Sequence, residues 1–216
     1  MDASIRRRTA FGMLTDLAPP SGGEVDSVTA LLPELTDLVS PEAQGRCIRI
    51  WAAAIRAGSW PDPRLAPTLP GVPIGPDTNL VAHTRRVMRA CRDVGHAIAH
   101  GEIRPDLDIL LEAAALHDVA KLVEYEPAQG HGFVLSAVGR SLPHAAIGAQ
   151  WAIAVGAPES VARAIYVHTP AVAATPDSIE AIILFAVDQV DADASRLGAG
   201  VPPSAKRALL GGATAR

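Results

Sequence analysis

The chain has 216 residues and a formal net charge of −4 at pH 7, so it has no general attraction for a nucleic-acid backbone. Its two cysteines, Cys47 and Cys91, form no CxxC pair, which argues against a disulfide framework and a cysteine zinc site. No apolar run reaches the roughly 18 residues that a membrane span needs. We therefore expect a cytoplasmic protein that binds neither a nucleic-acid polymer nor a membrane.

The first 76 residues predict an arm, two helices and a stiff connection. Residues 1–24 mix arginine with proline and glycine, as in a flexible arm. Apolar residues at helical spacing then predict two helices between residues 25 and 58, and Pro41 suits the start of the second. Six prolines between residues 60 and 76 exclude a helix and predict an extended lead-in.

The rest of the chain predicts an all-α core. Hydrophobic residues make up 49% of the sequence but aromatic residues only 4%, which favours packed helices over a β-sandwich. Proline, glycine and capping residues, among them Thr175 as the last helix cap, divide this part into five predicted helices. They cover residues 78–100, 105–123, 144–155, 158–168 and 176–196. The long segment 122–143 is typical of a lid, and residues 198–216 predict a flexible tail.

Four of the seven histidines fall on four different predicted core helices. His83 shares a helix face with apolar residues, so it is expected to point inward. His117 and Asp118 end a strongly apolar run, and Asp188 follows another one. An unpaired charge there would cost several kcal/mol, whereas a bound cation would use these groups as ligands. The pattern therefore predicts a metal site among six residues: His83, His117, Asp118, His144, His168 and Asp188.

The string LHDVAK at residues 116–121 resembles the signature of the HD-domain phosphohydrolases. The order of the six residues along the chain is also similar to the order of metal ligands in that superfamily, over about residues 78–195. The resemblance implies an HD-domain helical bundle at residues 77–197, preceded by the N-terminal helices and proline-rich lead-in at 25–76. The metal site would lie between the core helices.

The additional histidines between Asp118 and Asp188 imply a dinuclear site. In the implied arrangement, His83, His117 and Asp188 hold one divalent ion, His144 and His168 hold the other, and the Asp118 carboxylate bridges the two. Iron or manganese is the first expectation, while cobalt, nickel and zinc also suit these ligands.

The implied activity is hydrolysis of a phosphate mono- or diester, through a metal-activated water. Asp118 and Lys121 are the candidate catalytic residues, and a small phosphorylated molecule is the expected partner. Lys121, Arg140 and His131 are the candidate contacts to its phosphate. Some HD proteins instead use a mixed-valent di-iron site and dioxygen to cleave a C–C or C–P bond, and the ligands alone do not exclude that chemistry. Asp191 could support the site or lie at the surface, and a homo-oligomer is left open.

Overall fold

The computed structural model describes residues 17–130 and 132–204, and the N-terminal part of this range is helical. Helix α1 covers Gly22–Leu31 and α2 covers Pro41–Ala57, with a 3₁₀ turn at Pro33–Asp37 between them. Pro41 is the first residue of α2, as predicted. Because α1 begins at Gly22, helix starts inside the stretch that composition predicts to be an arm.

The remaining elements form a helical core with one small hairpin, so the expected all-α class is confirmed. They are a 3₁₀ turn at Pro63–Leu65 in the proline-rich lead-in, followed by α3 (Leu80–Ala97), α4 (Leu107–Leu116), α5 (Lys121–Glu124), β1 (Tyr125–Pro127), β2 (Phe133–Leu135), α6 (His144–Ala154), α7 (Glu159–Val167) and α8 (Ile179–Gly198). Most of the helix boundaries lie within a few residues of the predicted ones. The predicted Thr175 cap is wrong, because the side chain of Ser178 accepts from the backbone of Ala181 at the start of α8.

The second predicted core helix is interrupted directly after α4. The backbone N–H of Val119 donates to Leu116, and that of Lys121 donates to Asp118, so i→i+3 bonds replace the α-helical pattern. The helical chain therefore tightens at residues 117–120 before α5 continues it. This turn places His117 and Asp118 at a helix end instead of inside a helix.

The segment between α5 and α6 contains secondary structure and is not a plain loop. Strands β1 and β2 pair antiparallel, with Tyr125 opposite Leu135. The rings of Tyr125 and Phe133 also stack edge to face, with their centroids 5.1 Å apart. The hairpin and the chain leading to α6 connect two helices that carry site residues.

One hydrophobic core joins the N-terminal helices to the helices that follow the proline-rich lead-in. The buried indole of Trp51 on α2 donates to the carbonyl of Ala115 on α4 at 2.8 Å, which fixes the two helices against each other. None of the helices in the two described ranges is long and apolar enough to cross a membrane.

Candidate metal centre

Six side chains from five helices and the turns at their ends converge in the interior. They form two groups that share one carboxylate: His83, His117, Asp118 and Asp188 in the first group, and Asp118, His144 and His168 in the second. His83 and Asp188 come from α3 and α8, while His117 and His168 are the residues directly after α4 and α7. His144 is the first residue of α6.

The first group surrounds one oxygen of Asp118. His83 Nε2 lies 3.1 Å from His117 Nε2 and 3.2 Å from Asp188 Oδ1. Asp118 Oδ2 lies 3.3 Å from the first of these nitrogens and 3.5 Å from the second. Four potential ligand atoms therefore lie close together in a buried position.

The second group surrounds the other oxygen of the same carboxylate. His144 Nε2 and His168 Nε2 are 3.4 Å apart, and they lie 3.2 and 3.4 Å from Asp118 Oδ1. That oxygen is fully buried and makes no hydrogen bond with any described residue. A buried acceptor without a donor is costly unless another group compensates it.

All four histidine rings are held through the nitrogen that faces away from the cluster. Nδ1 of His83 and of His144 contacts a carboxylate, Asp191 Oδ2 at 2.6 Å and Glu124 Oε2 at 3.0 Å respectively. In the two other rings Nδ1 lies 2.8 and 2.6 Å from a backbone carbonyl three residues earlier, at Ala114 and Ile165. Because these oxygens only accept, Nδ1 is the protonated nitrogen of each neutral ring.

This arrangement of donors leaves every Nε2 lone pair directed into the cluster. Two unprotonated nitrogens 3.1 Å apart, as in His83 and His117, repel each other unless a proton or a cation lies between them. Ligands held about 2.0–2.2 Å from one ion at tetrahedral angles are about 3.3–3.6 Å apart, and the spacings here are close to that range. The nitrogens, the carboxylates and the unbonded Asp118 Oδ1 therefore fit a divalent metal.

The two inner carboxylates stay ionised despite their burial. Burial by itself would raise the pKa of Asp118, but the Lys121 ammonium, His117 and the contacts with His144 and His168 hold it well below the usual range. Burial opposes ionisation of Asp188 in the same way, and its contacts with His117 and His83 again leave its pKa below the usual range. The two carboxylates therefore offer anionic ligand atoms to a cation.

For three of the histidines, the direction in which the pKa shifts depends on the carboxylates that the ring faces. Burial would lower the pKa of His83, but Asp118, Asp188 and Asp191 outweigh it and raise the pKa well above its usual value. The pKa of His144 is also raised, since Asp118 and Glu124 outweigh its burial. For His168 burial is the stronger effect, and its pKa is lowered.

Lys121 lies against the cluster and is 6% exposed. Its ammonium donates to Asp118 Oδ2 at 2.6 Å and to the carbonyl of Thr68 at 2.7 Å. An ammonium has three donors, so these contacts leave one for a further acceptor. Lys121 therefore lies next to the site, as expected. It is positioned by the turn that interrupts the helix and by the backbone carbonyl of Thr68 in the lead-in.

The other candidate phosphate contacts are not brought into the cluster. Arg140 is exposed, and its guanidinium donates to the carbonyl of Leu135 in the hairpin. None of its contacts with the described residues reaches the six side chains. His131 lies outside the described residues. Both remain predictions.

Two residues that support the cluster could not be assigned to it from the sequence alone. Asp191, which the sequence left open, contacts His83 and accepts two hydrogen bonds from Arg86, at 2.6 and 2.9 Å. Its pKa is lowered to about 2, since these contacts outweigh its burial. Glu124 was missed, because the sequence around it offers no signal besides one acidic residue at the end of an apolar run.

The comparison with known families gives one match. A family model described as HD domain matches residues 80–193, which is more than half of the chain. The matched region begins with the first residue of α3 and ends within α8, so it contains all six clustered side chains. Comparison with curated proteins and with solved structures found no match.

Proposed function

Because the chain belongs to the HD domain family, most members of which are metal-dependent hydrolases, we propose that it hydrolyses a phosphate mono- or diester of a small metabolite. The observation that carries the proposal is the Asp118 carboxylate, whose two oxygens each face a separate pair of imidazole nitrogens. A bridging carboxylate of this kind suits two metal ions that act together on one substrate. The expected substrate is nucleotide-like or another small phosphorylated compound.

In this proposal each half of the cluster holds one divalent ion. The first ion would be bound by His83, His117 and Asp188, and the second by His144 and His168. Asp118 would bind both ions. When bound, two such ions supply a nucleophile at neutral pH and stabilise charge on the phosphoryl oxygens. Iron and manganese suit this mixture of imidazole and carboxylate ligands.

The halves differ in the number of protein ligands. The first has four candidate ligand atoms, whereas the second has three and includes the most exposed side chain of the cluster, His144. Coordination positions that the protein leaves open are the positions available to water and substrate. We therefore assign substrate binding to the half formed by His144 and His168.

Lys121 is the candidate contact to the phosphate. Two of its three donors are used by Asp118 and Thr68, and we assign the third to a phosphoryl oxygen bound beside Asp118. Its burial strengthens this charge-assisted bond relative to one formed in water. A mobile surface lysine would have to lose side-chain entropy for the same contact, and Lys121 has already lost it.

The deciding experiment joins metal analysis to two assays on one preparation. Protein purified without chelators is analysed for its metals and then tested for phosphate release and oxygen uptake on a panel of phosphate esters and phosphonates. About two ions per chain with phosphate release and no oxygen uptake supports the hydrolase. Two irons with oxygen uptake, and with phosphate released from no phosphate ester but at most from phosphonates, would replace it by the di-iron oxygenase.

A further inference from the structure

A groove of about 510 Å³ between α3 and α8 has an almost entirely apolar lining. Its apolar residues are Ala90, Val94, Ile183, Ala186, Val187, Val190 and Ala194. Val190 is 72% exposed and Val94 37% exposed. Single exposed aliphatic side chains are ordinary, but several of them around one concave surface indicate a docking site.

The path of the chain after α8 points toward this groove. Gly200 adopts a φ of 72° and the N–H of Val201 returns to the carbonyl of Arg196, so the chain reverses at the helix end. Ser204 then donates to Asp193 Oδ1 from its backbone, at 2.6 Å, and from its hydroxyl, at 2.7 Å. The last described residue therefore lies beside α8, more than one turn back from the helix end.

The contact with Asp193 shows how far back along α8 the chain has turned. Ala186 is seven residues before it, so both lie on nearly the same line along the helix, and Val190 lies between them. Ala194, which follows Asp193, lines the near end of the groove, so the groove begins beside the contact with Ser204. If the chain continues in the direction from Gly200 to Ser204, it passes over the apolar residues of the groove.

We propose that the C-terminal segment, residues 205–216, docks into this groove and covers it with Leu209 and Leu210. The distance along α8 from Asp193 to Ile183 is about 15 Å, since ten helical residues rise by 1.5 Å each. Six extended residues from Ser204 to Leu210 span up to about 20 Å. Both leucines can therefore reach the far end of the groove.

The segment is the preferred occupant because it is tethered beside the groove. Because the tether is short, the effective concentration of the segment at the groove is in the millimolar range. Even weak apolar contacts then keep the groove covered. A second copy of the chain would lack this advantage. Burial of the two leucines stabilises the docked state, because it removes apolar surface of the leucines and of the groove from water.

Disulfide trapping in the full-length chain tests the proposal. The double variant Val94→Cys/Leu210→Cys places one thiol on the α3 side of the groove and one on the segment. The control, Val39→Cys/Leu210→Cys, uses an 85% exposed position before α2 that does not line the groove. The native Cys47 and Cys91 are buried and burial raises their pKa, to about 12 for Cys91, so they remain unreactive thiols.

The expected result is an intramolecular disulfide that forms at least ten times faster in the Val94 variant than in the control. A disulfide requires the two Cα atoms to come within about 7 Å, so this outcome reports direct contact. Equal rates in the two variants would overturn the proposal. A disulfide between two chains would also overturn it and identify the groove as a surface for a second copy.

Hydrogen exchange provides an independent readout without new thiols. Leu209→Ser/Leu210→Ser should accelerate exchange of the backbone amides of residues 183–194 several-fold, because α8 loses its cover. Ala205→Ser/Ala213→Ser changes the same segment but keeps both leucines, and it should exchange as the unaltered chain does. Unchanged exchange in the leucine variant would contradict docking.

Discussion

Glu124 holds His144 at two points: Oε1 accepts from the backbone N–H and Oε2 from the ring Nδ1–H, both at 3.0 Å. The first contact satisfies a donor at the N-terminus of α6, and the second directs Nε2 toward Asp118. One carboxylate thereby sets both the start of a helix and the orientation of a candidate ligand.

Glu124→Gln should weaken metal binding at the half formed by His144 and His168. A glutamine can present its amide N–H₂ to Nδ1, which forces the ring proton onto Nε2 and blocks the lone pair. Loss of such an outer partner typically costs about 10–100-fold in metal affinity. Titration with manganese, beside the neighbouring Glu126→Gln as control, measures the effect. Equal affinities in both variants would remove Glu124 from its positioning role.

Asp118→Asn and Asp188→Asn should differ in how much metal they lose. Asp118 faces both histidine pairs, so its substitution should reduce the content from about two ions per chain to near zero, and activity should disappear. Asp188 faces only His83 and His117, so its substitution should leave about one ion. Asp93→Asn, at an exposed position, serves as the control. Wild-type metal content in Asp118→Asn would contradict the dinuclear site.

Lys121→Met should retain metal but lose most of the turnover. Methionine keeps the apolar part of the side chain and removes the donor that we assign to the phosphoryl oxygen. It also leaves the carbonyl of Thr68 without this partner, which costs about 1–3 kcal/mol of unfolding free energy. Metal analysis, thermal unfolding and kinetics on one preparation separate these effects. An unaltered kcat on every phosphate ester tested would refute the substrate role.

The metal-free protein should show opposite pH dependences for two histidines. The folded pKa of His83 is raised above its unfolded value of about 6.5, so its contribution to stability is present below pH 6.5 and is lost as the pH rises through the folded pKa. The folded pKa of His168 is lowered, so its contribution increases as the pH rises toward 6.5. Unfolding free energies of His83→Gln and His168→Gln, each compared with the unaltered chain from pH 5 to 9, measure both slopes. Slopes of equal sign would contradict the assignment.

Gly139→Ala should disturb the metal centre from a distance. A Cβ on Gly139 would lie 2.2 Å from the carbonyl oxygen of Glu124 and 3.0 Å from its Cγ, so Glu124 must move. We expect about 1–3 kcal/mol of destabilisation, as for other overpacked sites, together with weaker metal binding. Gly132→Ala is the matched control, because no atom lies within 4 Å of its added Cβ. If both variants bind metal equally, the close contact does not position Glu124.

The sequence was sufficient to predict which six side chains converge, because each lies on the apolar face of a helix or beside a strongly apolar run. It could not predict the turn after α4, since the apolar run continues through residues 119–123 without a proline or glycine to mark the change in hydrogen bonding. It also missed Glu124, whose partner His144 lies twenty residues away. Contacts of this kind depend on tertiary packing, and local periodicity contains no information about them.

The bond between Lys121 and the carbonyl of Thr68 changes where the functional unit begins. Thr68 belongs to the proline-rich lead-in and lies twelve residues before the region that matches the family model. The same lead-in accepts the backbone N–H of Leu80 through Ala66, at the start of α3. A chain cut at residue 77 would therefore keep every candidate ligand and still lose a wall of the metal centre. Its buried ammonium would then meet water in place of a fixed carbonyl, so the shortest piece that retains full activity should include the lead-in.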